Sequence, residues 1–325
     1  MLVAGPNLSL DRTIGIDRFD AGHIHRTGPV DARIGGGGAN AARVVRELTG
    51  AANLISFVPD QNADAATRAL ADQGIALGRV PCRGEMRVAT IVREGRGRMS
   101  VLNEPGPAVE AREWEAFERL TDERLPRGEL LLCSGSLPPG APFDGYARLA
   151  RQARHSGSRC VIDVSGRALA ATVEGREGLG VPNLAEAEAL LHGPRAEVVH
   201  ASDDAPDRAQ EAANELLRAG APCAVVTSGA SGAAFAEQGP HGRRGWIAAP
   251  RVDAINPIGA GDAFAAGLGL RLEGGDSLDN AVSFAVAVAA AHVSSPPGEL
   301  SADRVVDLAG RKPHVTTPAA TDHSK

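Results

Sequence analysis

The chain has 325 residues, 43% of them hydrophobic but only 3% aromatic. Its core must therefore be built from Ala, Val, Leu and Ile, which suits helices layered on a parallel sheet in one large α/β domain. A net charge of −6 with no basic block argues against a nucleic-acid partner, and no apolar run is long enough to span a bilayer.

Taken in order, Met1 to Ala4 reads as a first strand ending at Gly5-Pro6-Asn7, with Asp11 in the polar loop that follows. No basic region and signal-length apolar run opens the chain, which predicts a cytoplasmic protein. Residues 13–19 and 23–34 alternate loosely between apolar and polar, which predicts short exposed strands. Gly35-Gly36-Gly37-Gly38-Ala39-Asn40 then opens a helix running to Leu48. Asn53 to Val58 is a predicted strand, and Asp64 to Gln73 a helix stopped by Gly74. Arg87–Glu94 and Arg98–Asn103 predict a hairpin about Gly95-Arg96-Gly97, and Trp114 to Leu120 a helix.

From Leu130 onward buried strands and helices alternate. Leu130–Cys133, Cys160–Asp163 and Ala224–Thr227 are predicted strands; Phe143–His155, Glu186–Leu191 and Asp207–Arg218 are predicted helices. Two short strands, 233–237 and 244–249, precede the Ala-rich helices Ala263–Leu272 and Leu278–Val293. This alternation predicts a parallel, doubly wound sheet, whose ligands bind beyond the carboxyl ends of its strands. Ser134–Gly140, Asp163, Asn183–Glu186, Ser228–Gly229 and Gly259–Asp262 all fall at such ends. The earlier strands have a different texture and predict a small sheet that covers the site as a lid. The domain expectation is one unit over 1–312, with lid strands at about 12–34 and 86–103, and a disordered polar tail over 313–325.

The stretch Gly259-Ala260-Gly261-Asp262 carries the most chemistry. Three small residues bring helix N-terminal N–H groups within reach of a phosphate. Asp262 beside them can take a proton from an attacking hydroxyl; read alone, the four residues also fit a capped turn. Gly35–Asn40 permits close backbone approach to a polyhydroxylated ligand, with Asn40 as a donor or as a helix cap. It is not the G-x-G-x-x-G dinucleotide fingerprint, which disfavours an oxidoreductase, and no P-loop is present. Asp11 suits sugar hydroxyls, and Arg26 and Arg87 suit a phosphate, although lone arginines are common on surfaces. On local grounds Asn183 and Glu186 read better as a capping box than as a Mg²⁺ element. Four cysteines without C-x-x-C spacing imply buried thiols and no metal site, and His23, His25 and His292 show no metal spacing and read as structural.

Gly35–Arg43 together with Gly259–Asp262 resembles the paired signatures of the PfkB (ribokinase-like) sugar kinases. Asn103-Glu104-Pro105-Gly106-Pro107, Ser134–Gly140 and Val161–Gly166 look like the phosphofructokinase and tagatose-6-phosphate kinase branch. The resemblance spans about residues 1–310. It implies a three-layer αβα core with a mostly parallel sheet and a small β lid, often used for dimerisation. It implies ATP as co-substrate, Mg²⁺, and transfer to a sugar hydroxyl. By the same resemblance, Asp262 is the base and Gly259, Ala260 and Gly261 form the anion hole. Asn183 and Glu186 support Mg²⁺ through water, with Asn183 also on the nucleotide side beside Ser228 and Gly229. Asp11, Gly36, Gly37 and Asn40 fall at sugar positions, and Arg26, Arg87 and Ser136 at substrate positions, the two arginines for its existing phosphate. Two residues depart from the pattern: Gly37 stands where many members carry Lys, although minor 6-phosphofructokinases share the Gly, and Pro257 where Thr or Ser is frequent. The expected function is kinase action on fructose 6-phosphate or fructose 1-phosphate, as a homodimer formed through the lid. The alternatives are tagatose 6-phosphate, an unphosphorylated sugar or nucleoside (motivated by Gly37), and a non-catalytic regulator that keeps the fold.

Overall fold

The computed structural model describes residues 1–95, 97–193, 203–239, 242–310 and the backbone of 315–316. The chain runs β1 (Leu2–Ala4), β2 (Ser9–Ile16), β3 (Asp31–Gly35), α1 (Gly37–Thr49), β4 (Ala52–Pro59), α2 (Ala63–Ala71), β5 (Ile75–Cys82), β6 (Arg87–Glu94) and β7 (Met99–Asn103). It continues through α3 (Ala111–Arg124), β8 (Leu131–Ser134), α4 (Gly145–His155), β9 (Cys160–Asp163), α5 (Gly166–Gly175), β10 (Leu179–Gly180) and α6 (Leu184–His192). The remainder is α7 (Ala205–Arg218), β11 (Cys223–Thr227), β12 (Gly232–Glu237), β13 (Arg244–Ala248), α8 (Ala260–Glu273), α9 (Leu278–Val293), α10 (Ala302–Ala309) and β14 (Val315–Thr316).

Three sheets emerge among these residues. The central one is parallel throughout, in the order β10-β9-β8-β1-β4-β5. Its strands bury both faces, with residues alternating between two cores. Val3, Leu54, Leu132 and Val161 face one side with α1, α8 and α9. Leu2, Ala4, Ile55, Phe57, Leu131, Cys133 and Ile162 face the other with α3, α4 and α5. This two-sided burial is why the strands read as continuous apolar runs, and it makes the core three layers deep. The Ala-rich sequences of α8 and α9 let those helices approach closely: a Cβ placed at Gly267 would lie 2.9 Å from Val288 Cγ2.

The parallel pairing ends earlier than the sequence predicts. β11 joins β10 only through the Asn183–Thr227 bridge and the Thr227 N–H bond to the Pro182 carbonyl, 3.0 Å. β11, β12, β13 and β14 then pair antiparallel. For β11, β12 and β13 the reason is connection length: their linkers are hairpin-short, and a parallel return needs a crossover helix; β14 follows only after α8, α9 and α10. The third sheet, β3-β2-β6-β7, is the expected lid. Its β6–β7 hairpin lies where predicted, with Arg96 of the turn outside the described residues.

Further expectations change. Asp11 lies in β2, not in a loop, because β2 is an inner lid strand paired with both β3 and β6. The strand expected over 23–34 contracts to Asp31–Gly35. β5 went unpredicted because Gly78 and Pro81 mark a loop in sequence; as an edge strand it tolerates Pro. α10 also went unpredicted. Of the tail expected to be disordered, Val315–Thr316 pair with β13 and the rest lies outside the described residues. No described helix is long and apolar enough to cross a membrane, and the four cysteines are free thiols, with Cys133 and Cys160 sulfurs 3.8 Å apart.

In a chain so poor in aromatics, Phe57, Trp114 and Phe117 stack in one cluster with centroids 5.0–6.1 Å apart. Trp114 is 1% exposed and lies tight against Gly145. Trp114→Ala is expected to cost about 3–5 kcal/mol, measured as a lowered urea midpoint with an unchanged slope.

Candidate active site

Two glycine-rich segments are pressed together by backbone packing. A Cβ placed at Gly38 would lie 2.5 Å from the Gly5 Cα, so the β1–β2 turn and the start of α1 touch at van der Waals range. Gly36 caps α1 with φ +91°, a conformation that favours glycine. Gly37 is constrained from two sides: a Cβ there would meet an Asp262 carboxylate oxygen and the Gly135 Cα, each at 2.8 Å. A side chain at position 37 would therefore intrude on the carboxylate, which gives a steric reason for the Gly.

Asp262 stands in the first turn of α8, whose cap, Gly259, has φ +82°. The first intrahelical bond runs from the Ala263 N–H to the Gly259 carbonyl, 2.8 Å, so the N–H groups of Ala260, Gly261 and Asp262 precede the helix ladder. The half-buried carboxylate accepts one hydrogen bond on each oxygen. Asn40 Nδ2 donates to Oδ2 at 3.0 Å, and Ser134 Oγ donates to Oδ1 at 3.0 Å. Burial pushes the Asp262 pKa above the usual carboxylate range, opposed by those two donors and by His292.

A cavity of about 210 Å³ opens beside it, lined by Asp163, Asn183, Glu186, Thr227, Gly259, Gly261 and Asp262, with Val181. Burial, then the charges of Asp262 and Glu186, push Asp163 well above its ordinary pKa. Asn183 and Glu186 form the reciprocal capping box of α6, each backbone N–H bonded to the other's side-chain oxygen at 2.9 Å. They are at once the cap the local sequence favours and part of the cavity wall. Ser228 and Gly229 follow Thr227 directly at the end of β11.

On the other side of Asp262, the lid and loops supply a second polar group. Asp11 is buried, accepts Ser9 Oγ at 2.6 Å, and lies directly over Gly35. Arg87 is buried at the start of β6, with Nε and Nη2 on the Asn7 carbonyl (3.2 and 3.0 Å) and Nη1 on the Glu104 carbonyl (3.4 Å). Asn7 Nδ2 donates to Ser136 Oγ at 3.0 Å and to the Pro105 carbonyl at 3.1 Å, which ties three loops together.

The chain that builds this site is similar to known proteins. The sequence fits the pfkB family carbohydrate kinase pattern over residues 7–303. It is 30% identical over 299 residues to the ATP-dependent 6-phosphofructokinase isozyme 2 of Escherichia coli, covering 89% of this chain and 90% of that enzyme. The structure of Escherichia coli phosphofructokinase-2 in complex with fructose-6-phosphate superposes with a TM-score of 0.82 at 26% identity, over 95% of this chain and 98% of that one. Its tetrameric inhibited form gives 0.83 at 27% identity, over 95% and 97%. The chain belongs to the pfkB family of carbohydrate kinases.

Within this pfkB chain the sequence-predicted residues fall into two groups. Asp262, Gly259, Ala260, Gly261, Asn40 and Gly37 meet at one point, with Asn183 and Glu186 across the cavity. Asp11, Gly36, Arg87 and Ser136 gather around Asn7 and Gly35. Arg26 is exposed on the loop between β2 and β3.

Sequence reasoning put Asp163 and Ser134 at ligand-facing strand ends without giving either a role, passed over Asn7, and left His292 as structural. The signal for Ser134 and Asp163 was their place at strand ends. His292 had none, because α9 brings it in from 30 residues downstream of Asp262. Its Nε2 bonds the Ile258 carbonyl at 2.8 Å and lies 3.4 Å from Asn256 Nδ2, bracing the turn that sets up Gly259. His292→Ala is expected to lower turnover about fivefold by loosening that turn, with ATP and sugar binding nearly unchanged. Steady-state kinetics with both substrates varied would check it.

Proposed function

We propose that the chain transfers the γ-phosphoryl group of ATP to a hydroxyl of a phosphoketose, fructose 6-phosphate or fructose 1-phosphate, giving fructose 1,6-bisphosphate. Full-length similarity to a 6-phosphofructokinase supports the substrate class. The single observation that carries the chemistry is Asp262, held at the N-terminus of α8 by Asn40 and Ser134, with an open cavity on its other side.

In this reading Asp262 takes the proton from the attacking hydroxyl, a contribution of roughly 10²–10⁴-fold. Burial, which raises its pKa, makes it the stronger base; below that raised pKa it becomes protonated and activity falls. The N–H groups of Ala260 and Gly261, behind Gly259, meet the charge that spreads over the transferring phosphoryl. Asp11, Gly36, Gly37 and Asn40 hold sugar hydroxyls, and Arg87 and Ser136 hold the phosphate already present. Ser228, Gly229 and Asn183 contact the nucleotide.

Glu186 offers a hard oxygen donor on the wall of the cavity. Mg²⁺ keeps much of its hydration, so a single carboxylate can hold it through water. We assign Glu186 to that role. Bound there, Mg²⁺ neutralises charge on the ATP phosphates.

ADP release from Mg²⁺-ATP should be measured across fructose 6-phosphate, fructose 1-phosphate, tagatose 6-phosphate, fructose, ribose and adenosine. One phosphoketose is expected to dominate, and Asp262→Asn is expected to lose at least about 10²-fold in turnover while still binding ATP. Turnover only with unphosphorylated compounds would move the substrate class and release the arginines from their roles. No ADP with any compound would favour a regulator.

We also propose that 1–312 acts as one kinase domain and that two copies associate through the lid. Phe19, Ile24, Val101 and Leu102, at 45%, 90%, 45% and 61% exposure, are large apolar side chains on the lid and the loop that extends it. A copy docked there also gives Arg26, beside Ile24 on that loop, a route to a substrate phosphate. Ile24→Glu with Leu102→Glu should convert a dimer to monomer in sedimentation velocity; an unchanged mass would sink the lid interface.

A further inference from the structure

Arg43 is buried in α1, 7% exposed, yet it forms no salt bridge among the described residues. Burial, then the like charge of Arg33, pushes its guanidinium down to about 10, so it remains charged at neutral pH. A buried cation without a carboxylate partner is costly and needs its donors well placed. Here they are spread over three elements. Nε donates to Gln73 Oε1 just beyond α2 at 2.6 Å. Nη2 donates to the Ile34 carbonyl near the end of lid strand β3. Nη1 donates to Asn40 Oδ1 at 3.0 Å.

The third contact has a chemical consequence. With its oxygen engaged by Arg43, the Asn40 amide must turn its NH₂ toward Asp262, where it donates to Oδ2. The reversed amide would set a carbonyl oxygen against the carboxylate and an NH₂ against the guanidinium, both repulsive. We propose that Arg43 is a positioning residue for phosphoryl transfer: it fixes Asn40 as a donor to Asp262 and ties that donor to the end of the lid at Ile34. This rests on Asp262 being the base. Donation to an ionised carboxylate favours the ionised form, so releasing the Asn40 amide raises the pKa of the base and moves the acidic limb of the kcat profile to higher pH.

The test is the pH dependence of kcat, with Mg²⁺-ATP and the best phosphoketose, for wild type, Arg43→Lys, Asn40→Ala, the double variant and Asp262→Asn. Lysine keeps the charge but cannot span three acceptors. Arg43→Lys is expected to shift the acidic limb upward by about one pH unit and to lower kcat about tenfold. Asn40→Ala should produce a similar shift, and the double variant no further one. A lowered thermal midpoint with an unmoved limb would reduce Arg43 to a packing role and overturn the inference. Additive shifts would overturn the route through Asn40. If Arg43→Lys does not fold, Gln73→Leu removes the Nε acceptor; a smaller shift of the same sign is expected, and none would overturn the proposal. Near-normal turnover in Asp262→Asn would instead reject the base assignment itself.

Discussion

The hydrogen bond from Asn40 to Asp262 joins residues 222 positions apart and sets the geometry of everything around it. It brings the N-termini of α1 and α8 to one point, each entered from a glycine with positive φ. Helix N-termini carry partial positive charge and unpaired N–H groups, and two of them facing one carboxylate offset its desolvation. The approach is possible because Gly5 meets Gly38 and Gly37 meets Gly135 with no side chains between. The single tyrosine helps hold the last of these: Tyr146 OH donates to the Gly135 carbonyl at 2.9 Å.

Acidic groups crowd the far side. Asp163 and Asp262 share Ser134, whose Oγ lies 3.5 Å from Asp163 and 3.0 Å from Asp262, and Glu186 lines the same cavity. Such clustering destabilises the fold, and burial with the charges of Asp262 and Glu186 pushes Asp163 well above its ordinary pKa. Structural economy alone would place apolar residues there, as it does a few ångströms deeper, where Leu132 and Val161 fill the same strands. The carboxylates mark the end of the sheet at which the fold gives up stability for chemistry.

The lid is built on different terms from the core. Its inner residues Ser9, Asp11 and Arg87 are polar and buried, and its stability comes from strand pairing and from hydrogen bonds to the Asn7 carbonyl. Exposed apolar residues gather on the lid and its long loop. The small sheet thus has polar, buried inner residues and an apolar exposed region.

The sequence by itself determined a good deal. The apolar runs of β4, β8 and β9 and the Ala-rich repeats of α8 and α9 encode a layered α/β core, because two-sided burial and close helix packing leave periodic traces. Gly259–Asp262 and Gly35–Asn40 stood out in the sequence as glycine-rich helix starts, since only glycine permits those turns and approaches. Asp11 was misread as a loop residue and β5 was missed, because polar inner strands and Pro-bearing edge strands lack the expected alternation. Only the tertiary structure decided which distant residues meet. It brought Ser134 and Asp163 to the carboxylate, set His292 behind the α8 turn and buried Arg43 behind Asn40, while it left Arg26 exposed. Local periodicity reports which face of an element is buried; it carries no record of which side chains from other elements converge there, and in this protein that convergence makes the site.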